Sequence, residues 1–414
     1  MTNDDPQRLG AYTACMSFAN APMLLVSTLT IACSPGLQKA APAGLMHPAP
    51  AIPTVAPGPP ESSGTRSPTL GAESVRSMAV HLESLADAAF AENQTQLSGF
   101  AVQVTRGAQT LLAKSYGFSD MASRRSLLVT DTFRIGSITK QFTAAAVLQL
   151  AEAGKLRLDA PLVIYLPEYS GPGRLATIGQ LLSHTTGLKD YTELAWYTTH
   201  ETTGASTAEV LQVISQAPLS FAIGERFEYS NSGYYLLGLV IERLSGQRYA
   251  EFLETNVFVR AELSRTRYCP DTQDYPGAAL GHQVVNGRLS AASPVSMTVV
   301  YASGALCSTV GDLVRWSQAL SSGRVVSRES YARMRTPTSL PNGSVTPYGF
   351  GLGVGELLGS PVIGHNGEVS GFVSELTYLP RQDSHIVVLV NTDNFVGLKL
   401  VRGLADALIE DTSN

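Results

Sequence analysis

The sequence predicts an α+β fold: an antiparallel sheet drawn from both ends of the chain, flanked by the first and last helices, with a mostly helical domain inserted between. Three observations predict it. Strand-like segments occur over 100–116 and again over 348–391. The stretch between, roughly 137–310, carries mainly helical periodicity broken by Gly/Pro loops. Helical patterns at 75–92 and 396–410 bracket the whole. A cleft between sheet and insert is the natural location for a site.

In chain order, residues 1–33 read as a signal or lipoprotein-like segment. The apolar run Met23–Ala32 is the length of a secretory h-region, is too short to span a bilayer, and ends at Cys33, a candidate lipid-attachment site. The reading implies export to the periplasm or cell envelope, with membrane attachment through a lipid on Cys33. Residues 34–74 are rich in Pro, Ala, Gly and Ser and read as a disordered linker, because such a composition buries too little apolar surface to offset chain entropy. The folded part is 75–412, with a sheet subdomain of 75–136 and 320–412 and a helical subdomain of 137–319. Val75, Met78, Leu82, Leu85 and Ala89 recur at helical spacing. Residues 100–104 and 111–116 are strands joined through Arg106-Gly107. A helix over 138–153 stops at Gly154. Further helical patterns lie at 178–183, 207–216, 233–245, 248–256 and 310–320. Strands follow at 348–355, 361–366, 372–379 and 385–391.

Composition excludes several classes. The 414 residues hold 29 Lys+Arg and 34 Asp+Glu, a net charge of −5 with no long basic run, so nothing marks a nucleic-acid surface. No apolar run approaches the ~20 residues of a spanning helix, which excludes a multi-span membrane protein. Four Cys are too few for a disulfide scaffold. Cys269 and Cys307 are able to pair in an oxidising compartment, but Cys307 lies in the apolar stretch GALCSTV and reads as a buried free thiol. The seven His show no metal-ligand spacing, so no metal and no cofactor are expected.

Three short segments carry chemistry. Ser137-Ile-Thr-Lys140 opens a helix, and three residues is just under one turn, so both side chains lie on one side. A Ser there sits among unpaired N–H groups that stabilise developing negative charge; alone, it is also an ordinary cap. Tyr229-Ser-Asn231 precedes another helix and, taken singly, is a Ser/Asn cap. His365-Asn-Gly367 lies in a strand, where a lone His is usually structural. In the adjacent pair Ser183-His184, neighbours do not normally face one another, so it reads as a structural loop. The loop 189–204, with Tyr191, Trp196 and Tyr197, either rims the pocket or packs inward.

Taken together and in this order, the three segments resemble the penicillin-recognising serine hydrolases: class C β-lactamases, DD-carboxypeptidases and related carboxylesterases. The flanking stretches FRIGSITKQF, LLSHTTGL, ERFEYSNSGYY and IGHNGEVSGF resemble them too. The resemblance covers about 80–410 and implies a β-lactamase/DD-peptidase-like fold. It makes Ser137 the acylated nucleophile and Lys140 and Tyr229 its coupled base pair, with the choice between the two open. Asn231 would position Lys140 and bind substrate, and His365 would donate to substrate or to the Tyr229 hydroxyl. The amides of Ser137 and of Glu368, just after Gly367, would form the oxyanion hole. Many β-lactamases carry Lys where His365 stands, so a small-molecule ester or amide hydrolase is expected ahead of a β-lactamase or DD-carboxypeptidase. A non-catalytic peptidoglycan-binding module is the alternative of another class. The sequence does not specify an oligomeric state.

Overall fold

The computed structural model describes residues 72–273, 275–393 and 396–411. The signal-like segment with Cys33, and nearly all of the 34–74 linker, lie outside them.

Seven strands form one antiparallel sheet. In chain order they are β1 (Gly99–Arg106), β2 (Gln109–Asp120), β3 (Arg125–Ser126), β9 (Gly353–Leu357), β10 (Ser360–Val369), β11 (Phe372–Leu379) and β12 (Ser384–Val390). Their order is β3-β2-β1-β12-β11-β10-β9, so the N-terminal hairpin joins the C-terminal strands through β1 and β12. Phe100 pairs with Val390 and Arg106 with Ser384. Every residue of β12 is buried, as befits a central strand covered on both faces.

The alternation of side chains divides the core in two. Val102, Val104, Ile386 and Val388 face the first and last helices, where Met78, Leu82, Leu400, Leu404 and Leu408 pack on them. Ala101, Val387, Leu389 and Leu376 face the helical part. At the centre of that part runs the Thr139–Glu152 helix, buried from Thr139 to Leu150. Its alanines 144–146 leave room for neighbours on all sides. Phe142 stacks on Trp316 at 3.8 Å, and the Trp316 indole donates to Gln141 Oε1.

Several expectations need correction. The strand expected over 348–355 begins only at Gly353, because Pro347, Gly349 and Gly351 break the ladder and Tyr348 turns inward. Cys307 is not a free thiol. The short strands β4 (Phe133–Arg134), β5 (Arg267–Tyr268) and β8 (Leu306–Ser308) form a second sheet, ordered β4-β8-β5. Cys307 opposes Arg267, and the Cys269 amide donates to Ala305 O, which brings the two sulfurs into a disulfide. This sheet also crosses the expected 136/137 subdomain boundary, and with the β6–β7 hairpin (His282–Val285, Arg288–Ala291) it adds strands to the helical span. Strands of two or three residues are too short to show alternation.

The disulfide closes a loop across 38 residues. Chain-entropy arguments assign such a closure roughly 2–4 kcal/mol of stability. Replacing both Cys269 and Cys307 by Ser is therefore expected to lower the unfolding free energy by about that amount, read from urea midpoints. An unchanged midpoint would show that the small sheet holds without its bond.

Candidate active site

The site forms where the small sheet, the main sheet and the central helix meet. Ile135 donates its amide to Leu306 O, which anchors the chain leaving β4. A single 3-10 turn, Gly136–Ile138, then feeds the Thr139–Glu152 helix. Strand β10 crosses this turn so closely that two glycines are required. A Cβ on Gly136 would lie 2.8 Å from the Glu368 amide nitrogen, and one on Gly367 would lie 2.9 Å from that of Ser137. The same approach brings the segment carrying the Glu368 amide against the segment carrying the Ser137 amide. The Ser374 hydroxyl, 2.8 Å from Ile135 O, ties the turn to β11. Partial burial, and then the Asp393 carboxylate, raise the pKa of the Glu368 side chain.

Lys140 is fully buried. Its Nζ lies 3.0 Å from Ser137 Oγ, 2.7 Å from Asn231 Oδ1 and 2.9 Å from Ser303 O. The last two are acceptors only. They take two N–H bonds, which leaves the third direction of the nitrogen on Ser137. Burial pushes the Lys140 pKa down to about 7, against the pull of the Asp190 carboxylate. Near neutral pH the nitrogen is therefore often a free amine whose lone pair faces the serine hydroxyl.

Tyr229 completes the group. Its ring centroid is 4.7 Å from Lys140 Nζ, and its hydroxyl faces Ser137 without closing a hydrogen bond. Burial holds the phenol well above its ordinary pKa, so it is protonated at neutral pH. The pair is thus divided: the amine is the group able to accept a proton and the phenol the one able to give one.

Asn231 is the first residue of the Asn231–Ser245 helix, yet neither it nor Ser230 caps it through a side chain. The Asn231 side chain instead bridges Lys140 and Asp190. Asp190 Oδ2 accepts from the Asn231 backbone at 3.0 Å and from its Nδ2 at 2.9 Å, which leaves the Asn231 Oδ1 turned to the lysine. Ser303 is aimed by a backbone exception: Tyr301 has φ +40 inside a helical segment. Beyond it the Ala302 carbonyl accepts from Thr143 and that of Ser303 from Lys140.

His365 is in the wall but does not meet Tyr229 by hydrogen bond. Its Nε2 lies 2.8 Å from the Tyr348 hydroxyl and its Nδ1 against the Asn366 carbonyl. Burial lowers its pKa to about 3, so the ring is neutral. A carbonyl only accepts, so Nδ1 carries the hydrogen and Nε2 accepts from Tyr348. Both nitrogens are engaged, which differs from the expected donation to substrate or Tyr229. In the 189–204 loop Tyr191 is buried, while Trp196 is half-buried and stacks on His200.

Sequence reasoning missed Asp190, Ser303 and Tyr348, and it set His184 aside as a loop residue. None carries a periodic or motif signal of its own. The one available signal was proximity: His184 and Asp190 both lie within the LLSHTTGLKDY run.

Comparison with known proteins gives a consistent picture. The beta-lactamase family model matches residues 50–410. Penicillin-binding protein 4* of Bacillus subtilis (strain 168) is 30% identical over 315 residues, covering 71% of this chain and 67% of that protein. A D-aminopeptidase of Brucella ovis is 27% identical over 297 residues, and this chain spans 56% of its length and matches with 71% of its own. The solved octameric penicillin-binding protein homologue from Pyrococcus abyssi superposes with a TM-score of 0.69 at 26% identity, covering 80% of this chain and 77% of the other.

Proposed function

The chain belongs to the beta-lactamase family, and from that premise we propose that it cleaves a small ester or amide through an acyl-enzyme on Ser137. One observation carries the reading: a buried lysine nitrogen 3.0 Å from the serine oxygen, with its other two partners fixed as acceptors. Lys140 takes the Ser137 proton as Oγ bonds to the substrate carbonyl carbon. The oxyanion forms between the amides of Ser137 and Glu368. The intermediate collapses by breaking the bond to the leaving group, which takes the Tyr229 proton. The Lys140 ammonium then returns a proton to the phenolate. Water attacks the acyl ester in a second, similar passage, and Ser137 is released.

The neutral His365 favours ester or amide substrates over those recognised by a carboxylate. A Lys at that position would be a permanent cation, and an imidazole whose two nitrogens are already bonded is not. A β-lactamase or DD-carboxypeptidase role is the second reading, supported by the penicillin-binding relatives. D-amino amides belong in the substrate panel because one relative is a D-aminopeptidase. Export, with Cys33 as lipid anchor, is part of the proposal. Its support is the apolar run before Cys33 and the Cys269–Cys307 bond, which suits an oxidising compartment.

Intact-mass spectrometry after treatment with a fluorophosphonate is expected to show one adduct, on the Ser137 peptide. Ser137→Ala is expected to take no adduct and to lose turnover of p-nitrophenyl butyrate. An adduct elsewhere, or turnover retained in Ser137→Ala, would overturn the reading. A panel of p-nitrophenyl esters, D-amino-acid amides, D-Ala-D-Ala peptides and cephalosporins then separates ester or amide hydrolase from the second reading.

A further inference from the structure

His184 takes no part in the steps above, yet it is closely held. It is 2% exposed and holds φ +57, a left-handed conformation uncommon for a residue with a Cβ. Its carbonyl accepts from the Glu228 amide at 3.0 Å, and its Nδ1 accepts from the Ser230 amide at 3.2 Å. One residue thus grips the chain on both sides of Tyr229. Its ring lies 4.3 Å from the Tyr229 ring, 5.0 Å from that of Tyr234 and 4.8 Å from that of Tyr348.

The protonation state follows from these partners. A backbone amide only donates, so Nδ1 is bare. Burial holds the imidazole well below its ordinary pKa, so the ring is neutral and its one hydrogen is on Nε2. That Nε2 is buried and has no hydrogen-bond partner. The tautomer is therefore selected by the Ser230 amide alone. A residue needed only to fill space would carry neither an unpaired buried N–H nor a left-handed backbone; an aliphatic or a phenyl ring would fill it without the first.

We propose that His184 is a positioning residue for Tyr229: its Nδ1 and carbonyl fix the backbone on either side of the tyrosine, so that the hydroxyl stays aimed at Ser137. The proposal rests on Tyr229 being the proton donor to the leaving group. It separates His184 from a plain structural role by a leaving-group signature. A misaimed phenol costs little when the departing group needs no proton and much when it does.

The test compares kcat/KM for p-nitrophenyl butyrate and ethyl butyrate. The two share an acyl group, so their ratio isolates acylation and departure. In His184→Phe, which keeps a ring but has no acceptor, the ethyl ester is expected to lose at least about tenfold more than the p-nitrophenyl ester. His184→Asn keeps an acceptor near Nδ1 and tolerates the left-handed backbone, and it is expected to restore the ratio to within about threefold of wild type. Tyr229→Phe serves as the reference. If it shows the leaving-group bias and His184→Phe does not, the positioning role is wrong. If Tyr229→Phe itself shows no bias, the reading of Tyr229 as proton donor fails instead. Wild-type protein with 15N-labelled histidine gives a check independent of variant folding: His184 is expected to show a bare Nδ1 and a protonated Nε2, and the opposite tautomer would overturn the proposal.

Discussion

A Lys140→Met variant is expected to acylate Ser137 about 10³-fold more slowly than wild type, within the range assigned to a positioned general base. Methionine keeps an unbranched apolar stem of four atoms, with sulfur in place of Cδ, and removes the nitrogen. Two acceptors, Asn231 Oδ1 and Ser303 O, then lose their donor, so a modest loss of stability accompanies the loss of rate. Circular dichroism separates the two, since a folded but slow variant is the expected outcome. The pH profile makes the same point in the wild type. A base with a pKa near 7 must be unprotonated to act, so kcat/KM should rise with pH through about 7 and then level. His365, held near 3, and the phenol, held far above neutral, contribute no limb in that window. A near-wild-type rate in folded Lys140→Met would show that the proton goes elsewhere. A flat profile from pH 5 to 9 would show that the lysine does not titrate where its burial puts it.

What makes this arrangement work is shared between readable and unreadable parts of the sequence. Ser137 and Lys140 were legible because they sit three residues apart at a helix start, where spacing alone dictates proximity. Strand β12 was legible from its unbroken apolar run, and the hairpin β1–β2 from its glycine turn. Asp190 was not, because a loop carboxylate has no period; only the tertiary meeting of its loop with Asn231 gives it meaning. Tyr348 looked like a strand residue until the glycines around it broke the strand and turned it to His365. The disulfide was weighed and set aside for a related reason. Cys307 lies in an apolar run whichever partner it has, and the pairing of β5 with β8 is decided by packing rather than by any local pattern. His365 was legible as a wall residue but not in its bonding, since the partner that occupies its Nε2 lies on a different segment.

The second large effect lies on the opposite face of the same sheet. Glu375 sits in β11, paired with Asn366 on one side and Val388 on the other. Its side chain lies against the Val396–Asp411 helix: a Cβ on Gly397 would be 3.8 Å from its Cγ. It is 6% exposed, and its Oε1 has no hydrogen-bond partner. Burial, reinforced by Glu368, raises its pKa to about 8 from an ordinary 4.5. The folded state thus holds this proton more tightly than the unfolded state does. Below 4.5 both states are protonated and the associated stability is fully present. From 4.5 to 8 the unfolded chain loses the proton while the folded one keeps it, so stability falls as pH rises. Above 8 a bare carboxylate is buried at full cost. Glu375→Gln stays neutral throughout. It is expected to match wild type near pH 4.5 and to exceed it near pH 9 by on the order of 3–5 kcal/mol. Urea midpoints of the two proteins at pH 4.5, 7 and 9 measure the difference directly. A gap that stays constant across the three would mean that Glu375 does not hold a proton in the folded state, and the slope would then belong to another buried group.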